Sequence, residues 1–159
     1  MTLQDLGAIG EFVGAGLLVV SLVYVGVQVR QNTLSQRAQI RQNWTDIVIG
    51  WNQYLIQNPE LAKFVREGAV NGLSSVGEKG AFDLSQYYQA AIWTVSAFHR
   101  HYRNGLLDDE TWYEVDVLVG ESWSRDKALK EYWFANQSAW APSFRSYMSE
   151  KLERQITVR

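Results

Sequence analysis

Two hydrophobic patterns follow one another along this chain, and they differ in kind. From Leu6 to Val29 the sequence LGAIGEFVGAGLLVVSLVYVGVQV is apolar on every side of a helix. It holds one charge, Glu11, and between Phe12 and Val27 the only polar side-chain groups are Ser21 and the Tyr24 hydroxyl. After Ile40 the pattern becomes a stripe: Ile40, Trp44, Ile47, Trp51 and Tyr54/Leu55 recur every three or four residues. That is the spacing of a helix with one face turned to a core.

The first pattern predicts a transmembrane helix. A bilayer core of about 30 Å takes roughly 20 apolar helical residues. Leu6–Val29 would reach roughly 36 Å, and the stricter window Phe12–Val29 roughly 27 Å. The choice of window places Glu11 either at the headgroups or in hydrocarbon, where a carboxylate suggests function. A strand is the rival reading, because Val23, Val25, Val27 and Val29 alternate with Tyr24, Gly26, Gln28 and Arg30. No turn divides the run into strand lengths, however, and no other segment offers a strand to pair with. A cleaved signal fits poorly: there is no basic stretch before the run and no A-x-A site after it.

One stripe of this helix carries small residues, Gly7, Gly10, Gly14 and Ser21, and Gly10 to Gly14 is a GxxxG. Small residues let two membrane helices approach closely. The expected partner is a second copy or another membrane protein, whose helix would also cover Glu11. Glycine is also simply common in membrane helices. Arg30, Arg37 and Arg41 all follow the run and nothing basic precedes it. The positive-inside rule therefore places the N-terminus outside and the remainder in the cytoplasm. The expected division is residues 1–30 as anchor and 31–159 as a cytoplasmic domain.

The second pattern predicts about five helices and an all-α fold. No Gly or Pro separates Val29 from Arg41, so the anchor runs on into a helix whose far face is rich in amides. Asn58-Pro59-Glu60 reads as a cap, a Pro at N1 and an acid in the first turn. That helix is expected to end near Gly68, followed by a Gly- and Ser-rich loop through Gly80. The next opens at Asp83 or Ser85, buries Tyr88, Ile92, Val95, Phe98/His99 and Tyr102, and closes at Asn104-Gly105. Asp108-Asp109-Glu110 starts another, with Trp112, Val115, Leu118/Val119 and Trp123 as its apolar face. Asp126 opens the next, with Leu129, Tyr132 and Trp133 inward, and Ala139-Trp140-Ala141-Pro142 breaks it. Phe144, Tyr147, Met148 and Leu152 mark the last helix, to about Arg154.

Composition removes several classes of chemistry. There is no Cys, so neither a disulfide framework nor a thiolate metal site exists. A formal net charge of −2, with both signs mixed, argues against a nucleic-acid footprint. His99 and His101 lie two apart and point away from each other on a helix, so they do not chelate one metal. His99 is expected at the edge of the core, hydrogen-bonded to a Tyr or a carbonyl. The basic run His99, Arg100, His101, Arg103 suits a helix C-terminus, and a weaker reading has it touching anionic headgroups. Asp108, Asp109 and Glu110 suit a helix N-terminus more than a cation site. No nucleophile elbow, P-loop, dinucleotide or EF-hand pattern occurs. No cofactor, metal or catalytic residue is therefore expected. With seven Trp and eight Tyr in the chain, Trp123, Trp133 and Trp140 are the candidates for lining a ligand pocket, with core packing as the plainer reading.

Three stretches carry a resemblance: IGEFVGAGLLVVSLVYVGVQVRQNT (Ile9–Thr33), FHRHYRNGLLDDETW (Phe98–Trp112) and the later APSFRSYMSEKL. Together they resemble a group of small uncharacterised bacterial proteins with one N-terminal membrane helix and an all-helical remainder. The resemblance implies a bacterial cytoplasmic membrane and carries no activity. The functional expectation is a non-enzymatic, membrane-anchored interaction or assembly protein, homo-oligomeric or an accessory subunit of a larger complex. The alternative is a sensor of a small molecule or lipid with an aromatic-lined pocket.

Overall fold

The computed structural model describes the backbone of residues 3–153 and the side chains from Glu11 to Glu153. It is all-helical, with no strand among the described residues. The helices are α1 (Leu3–Gln57), α2 (Pro59–Asn71), α3 (Gly77–Arg103), α4 (Asp109–Val117), α5 (Lys127–Asn136) and α6 (Pro142–Glu153). The segment with alternating valines belongs to α1, so the rival strand does not form.

The chain divides into two compact units, Met1–Gln39 and Ile40–Arg159. This boundary follows packing, whereas the division at residue 30 follows hydropathy. Residues 31–39 are polar apart from Leu34 and Ala38, yet belong with the N-terminal unit, because the buried and part-buried stripe of the core starts at Ile40.

Among the described residues of the N-terminal unit, the large apolar side chains from Phe12 to Val29 are uncovered. Phe12 is 82% exposed and Leu22 71%, with Leu17, Leu18, Val19 and Val20 close behind. Its helix is the first part of α1, the one helix among the described residues that is long and apolar enough to cross a membrane. Three of its polar side chains bond within their own turn. Ser21 Oγ donates to the Leu17 carbonyl at 2.8 Å, Gln28 Nε2 to the Tyr24 hydroxyl at 2.7 Å, and Thr33 Oγ1 to the Val29 carbonyl at 3.0 Å. Such closure removes the cost of a polar group in a medium that offers no hydrogen bonds.

The C-terminal unit is built around α3. Leu84, Tyr88, Ala91, Ile92, Val95 and Phe98 face a core completed by Trp44, Leu61, Val115, Leu129, Trp133, Phe144, Met148 and Leu152. Helix ends follow local chemistry. Asp108 accepts the Thr111 backbone N–H and hydroxyl, each at 2.8 Å, and so caps α4. Asp126 caps α5 by accepting the Leu129 N–H at 2.9 Å. At the end of α3, Gly105 takes φ 68°. Its N–H bonds the Tyr102 carbonyl at 2.9 Å while the Leu106 N–H bonds that of His101 at 2.9 Å, which is the Schellman pairing.

Three local expectations change. α2 extends to Asn71, beyond Gly68, and α3 begins at Gly77, well before Asp83. A Leu73–Val76 3-10 turn takes the place of the expected loop. Gly80 is a close-packing residue inside α3: a Cβ there would lie 2.8 Å from the Val76 Cβ and 3.1 Å from the Phe64 ring. Asn58 does not cap α2. Its amide donates back to the Tyr54 carbonyl at 2.8 Å and so closes the end of α1.

Candidate recognition clefts around Trp51 and Tyr87

The stripe that turns the end of α1 toward the core is incompletely covered. Trp44 is buried, but Trp51 is only half-buried and Tyr54 is exposed. Tyr87, one residue before the buried Tyr88 on α3, lines the same surface. Two clefts flank this Trp51–Tyr87 pair and share both residues.

The larger cleft, of about 590 Å³, has an apolar floor of Trp51, Tyr54, Leu61, Tyr87 and Ala90. Its rim is polar: Gln57, Asn58, Glu60, Lys79, Asp83 and Gln86. Lys79 Nζ stands 2.9 Å from Glu60 Oε2 and 3.0 Å from Asp83 Oδ2. The hydrogen bond to Glu60, then that to Asp83, pushes the ammonium above its ordinary range. The smaller cleft, of about 470 Å³, is lined by Trp44, Val48, Trp51, Leu55, Val117, Leu118 and Trp123. Trp44 Nε1 donates to Glu114 Oε2 at 3.0 Å across its edge. Trp51 meets Trp44 edge-on at 6.2 Å and Trp123 at 6.5 Å between ring centres. Burial, then the neighbouring Asp126 carboxylate, raises the Tyr87 phenol and keeps it protonated.

Aromatic floors with a few polar rim groups are what small-molecule and peptide sites offer. Among the described residues no group of three His, Asp or Glu side chains is placed to hold a metal ion.

The residues singled out from sequence are distributed differently. Trp133 is fully buried and packs 6.3 Å from Trp140 and 5.9 Å from Phe144. Trp123 instead joins Trp51, and among the described residues no ring contact links it to the other two. Of the three indoles, Trp123 alone borders one of the two clefts. Glu11 is exposed. Gly14 is open, with nothing within 4 Å of where a Cβ would stand, and the Ser21 hydroxyl stays on its own helix. Gly7 and Gly10 lie outside the residues whose side-chain positions are described. His99 is held by rings: it lies 5.1 Å from Tyr147, 5.5 Å from Phe144 and 5.7 Å from Trp112.

Sequence reasoning did not find the clefts, although Trp51 and Tyr87 both stood in readable helices. The available signal was the width of the α1 stripe: Trp51, Tyr54 and Leu55 form a wider apolar arc than one neighbouring helix covers. Compared with models of protein families, with curated proteins and with solved structures, the chain matches none of them.

Proposed function

We propose that this is a single-span protein of a bacterial cytoplasmic membrane, with its N-terminus outside and its helical domain in the cytoplasm. Its role is non-enzymatic: the domain recognises or assembles partners at the membrane. The observation that carries this reading is the uncovered apolar surface of Phe12–Val29. At about 25 cal/mol per Å² of apolar area, leaving so many large side chains in water would be costly, and lipid removes that cost. The Arg30, Arg37 and Arg41 asymmetry supports the orientation. Gly14, open to close approach, supports packing against a second copy or another membrane helix.

Purification of the full chain from membranes in mild detergent, followed by native mass spectrometry, tests this. The expected result is a defined oligomer or a co-purifying membrane protein, weakened by Gly10→Leu/Gly14→Leu. A monomer with no companion overturns the assembly role, and release of the chain by a carbonate wash overturns the anchor.

A second reading has the domain sensing a small molecule or lipid. It is favoured by the cleft of about 590 Å³ floored by Trp51, Tyr54 and Tyr87. A ligand seated there would change tryptophan fluorescence in the native domain and not in Trp51→Phe.

A further inference from the structure

A third cavity, of about 330 Å³, lies between the last turns of α3 and the start of α6, away from the Trp51 clefts. Ser96, His99, Arg100 and Arg103 reach it from α3, at the spacing of one helix face, and Ser143 and Phe144 close the opposite side. Its charge is one-sided. No carboxylate lines it, and among the described residues neither Arg100 nor Arg103 is in an ion pair. The α6 side adds partial positive charge. The Arg145 N–H is the first to bond within that helix, to the Ala141 carbonyl at 2.9 Å. The N–H groups of Ser143 and Phe144 therefore precede the hydrogen-bonded ladder, and the residue at the cap, Ala141, has no side-chain oxygen to meet them.

Cations at the end of α3 alone would be explained by its dipole. The buried side chains are not. Ser96 is 7% exposed and His99 9%, and neither side chain makes a hydrogen bond among the described residues. Other helical hydroxyls close onto the preceding turn, as Ser85 does to Ala81 and Thr94 to Ala90, but Ser96 does not. Yet among the described residues no buried side-chain oxygen or nitrogen is wholly cut off without a partner, so the polar atoms of Ser96 and His99 keep some access, and both residues line this cavity. Buried polar groups are almost always paired, and here the cavity is where the pairing partner belongs.

We propose that this cavity binds a phosphate group. Arg100 and Arg103 supply charge and paired N–H donors suited to phosphate oxygens, while the Ser96 hydroxyl, the His99 ring and the first-turn N–H groups of α6 complete the shell. The volume accommodates a phosphate with a small substituent. The same chemistry is presented by a free phosphate or monoester and by a phospholipid headgroup.

The test uses the full chain in phosphatidylcholine nanodiscs. Inorganic phosphate is titrated while phosphorus-31 and His99 ring NMR signals are followed. In a second arm, phosphatidylglycerol is mixed into the nanodiscs and the same ring signals are read. The proposal expects saturable perturbation of the His99 signals in at least one arm, weakened at least tenfold by Arg100→Gln/Arg103→Gln and several-fold by Ser96→Ala. A response to inorganic phosphate assigns a soluble phosphate, and a response to phosphatidylglycerol alone assigns a headgroup. No perturbation in either arm overturns the proposal, as does perturbation unchanged in variants whose circular dichroism is native. Both arginines are exposed, so the double variant should fold. Should it not, Arg103→Gln and Ser96→Ala carry the comparison.

Discussion

The N-terminal and C-terminal units are both rich in large apolar side chains and dispose of them in opposite ways. In the first, Leu17, Leu18, Val20 and Leu22 are all more than half exposed. In the second, Leu84, Ile92, Leu129 and Leu152 are at or within 1% of complete burial. The difference is one of arrangement. An apolar surface on all sides of a helix has no face to spare for water and needs an apolar surrounding. A stripe needs only a neighbour and leaves its other face polar. Stability in the second unit thus comes from packing within the chain, and in the first from whatever surrounds it.

Replacing a core residue should expose this contrast most sharply. Trp133→Ala removes a fully buried indole and should destabilise the domain by about 3–5 kcal/mol, measured by urea unfolding. Leu18→Ala, on the uncovered helix, should move the same transition by less than about 0.5 kcal/mol; an equal loss would mean that the N-terminal unit is part of the domain's core.

A charge tests the surrounding medium. Val20→Lys should cost about 2.5–3.5 kcal/mol of membrane insertion and shift chain from the carbonate-resistant pellet to the supernatant, with the unfolding midpoint of the domain unchanged. Were the pellet fraction unaltered, lipid would not be the medium around Val20.

Within the packed unit, backbone geometry sets the next effect. Gly72 has φ 90°, and an added Cβ would meet the Glu131 carboxylate that accepts the Leu73 N–H at 2.8 Å. Gly72→Ala should cost about 1–2 kcal/mol from its left-handed backbone alone, more if that hydrogen bond is lost, as read from thermal unfolding.

The two carboxylate caps separate surface from interior. Asp108→Ala and Asp126→Ala should each cost about 0.5–2 kcal/mol. Asp126 should lie at the upper end, because its loss also orphans the Tyr88 hydroxyl, which donates to it at 2.8 Å. Equal losses would show that the buried Tyr88 bond adds nothing.

The finest test is a slope with pH. Burial, then the nearby Arg103 charge, lowers His99 below its ordinary 6.5. The unfolded chain then binds more protons than the folded one in the window beneath that value. Stability is present above it and declines as pH falls toward the folded value. His99→Phe should flatten that decline, and an unchanged slope would assign it to other groups.

Much of the second unit was legible because its signals are local. Asp108 and Asp126 stand one turn before their helices' hydrogen-bonded ladders, and Asn104-Gly105 marks the end of α3; these are chemistries of neighbouring residues. The start of α3 was not legible, because Gly77 and Gly80 read as breakers. Only the close approach of Val76 and Phe64 explains a glycine inside that helix. Asn58 misled for a related reason: two carbonyl and N–H sets compete for one amide, and local sequence does not rank them. The candidate site was least legible of all. Trp51 and Tyr87 come from different helices, as do Ser96 and Ser143, and no periodicity within one helix reports which neighbour it will meet. The three indoles Trp123, Trp133 and Trp140 looked like one group by position, yet packing sends Trp123 toward α1.

The distance along the chain between Trp44 and Leu152, both buried in the same core, has a temporal side. More than a hundred residues separate the end of the apolar run at Val29 from Leu152. At a synthesis rate of roughly 5–20 residues per second this interval is on the order of ten seconds. Throughout it the nascent chain displays its greasy leading segment while the domain still lacks its closing helix. Delivery to a membrane would thus have its opportunity first, and maturation of the domain would follow.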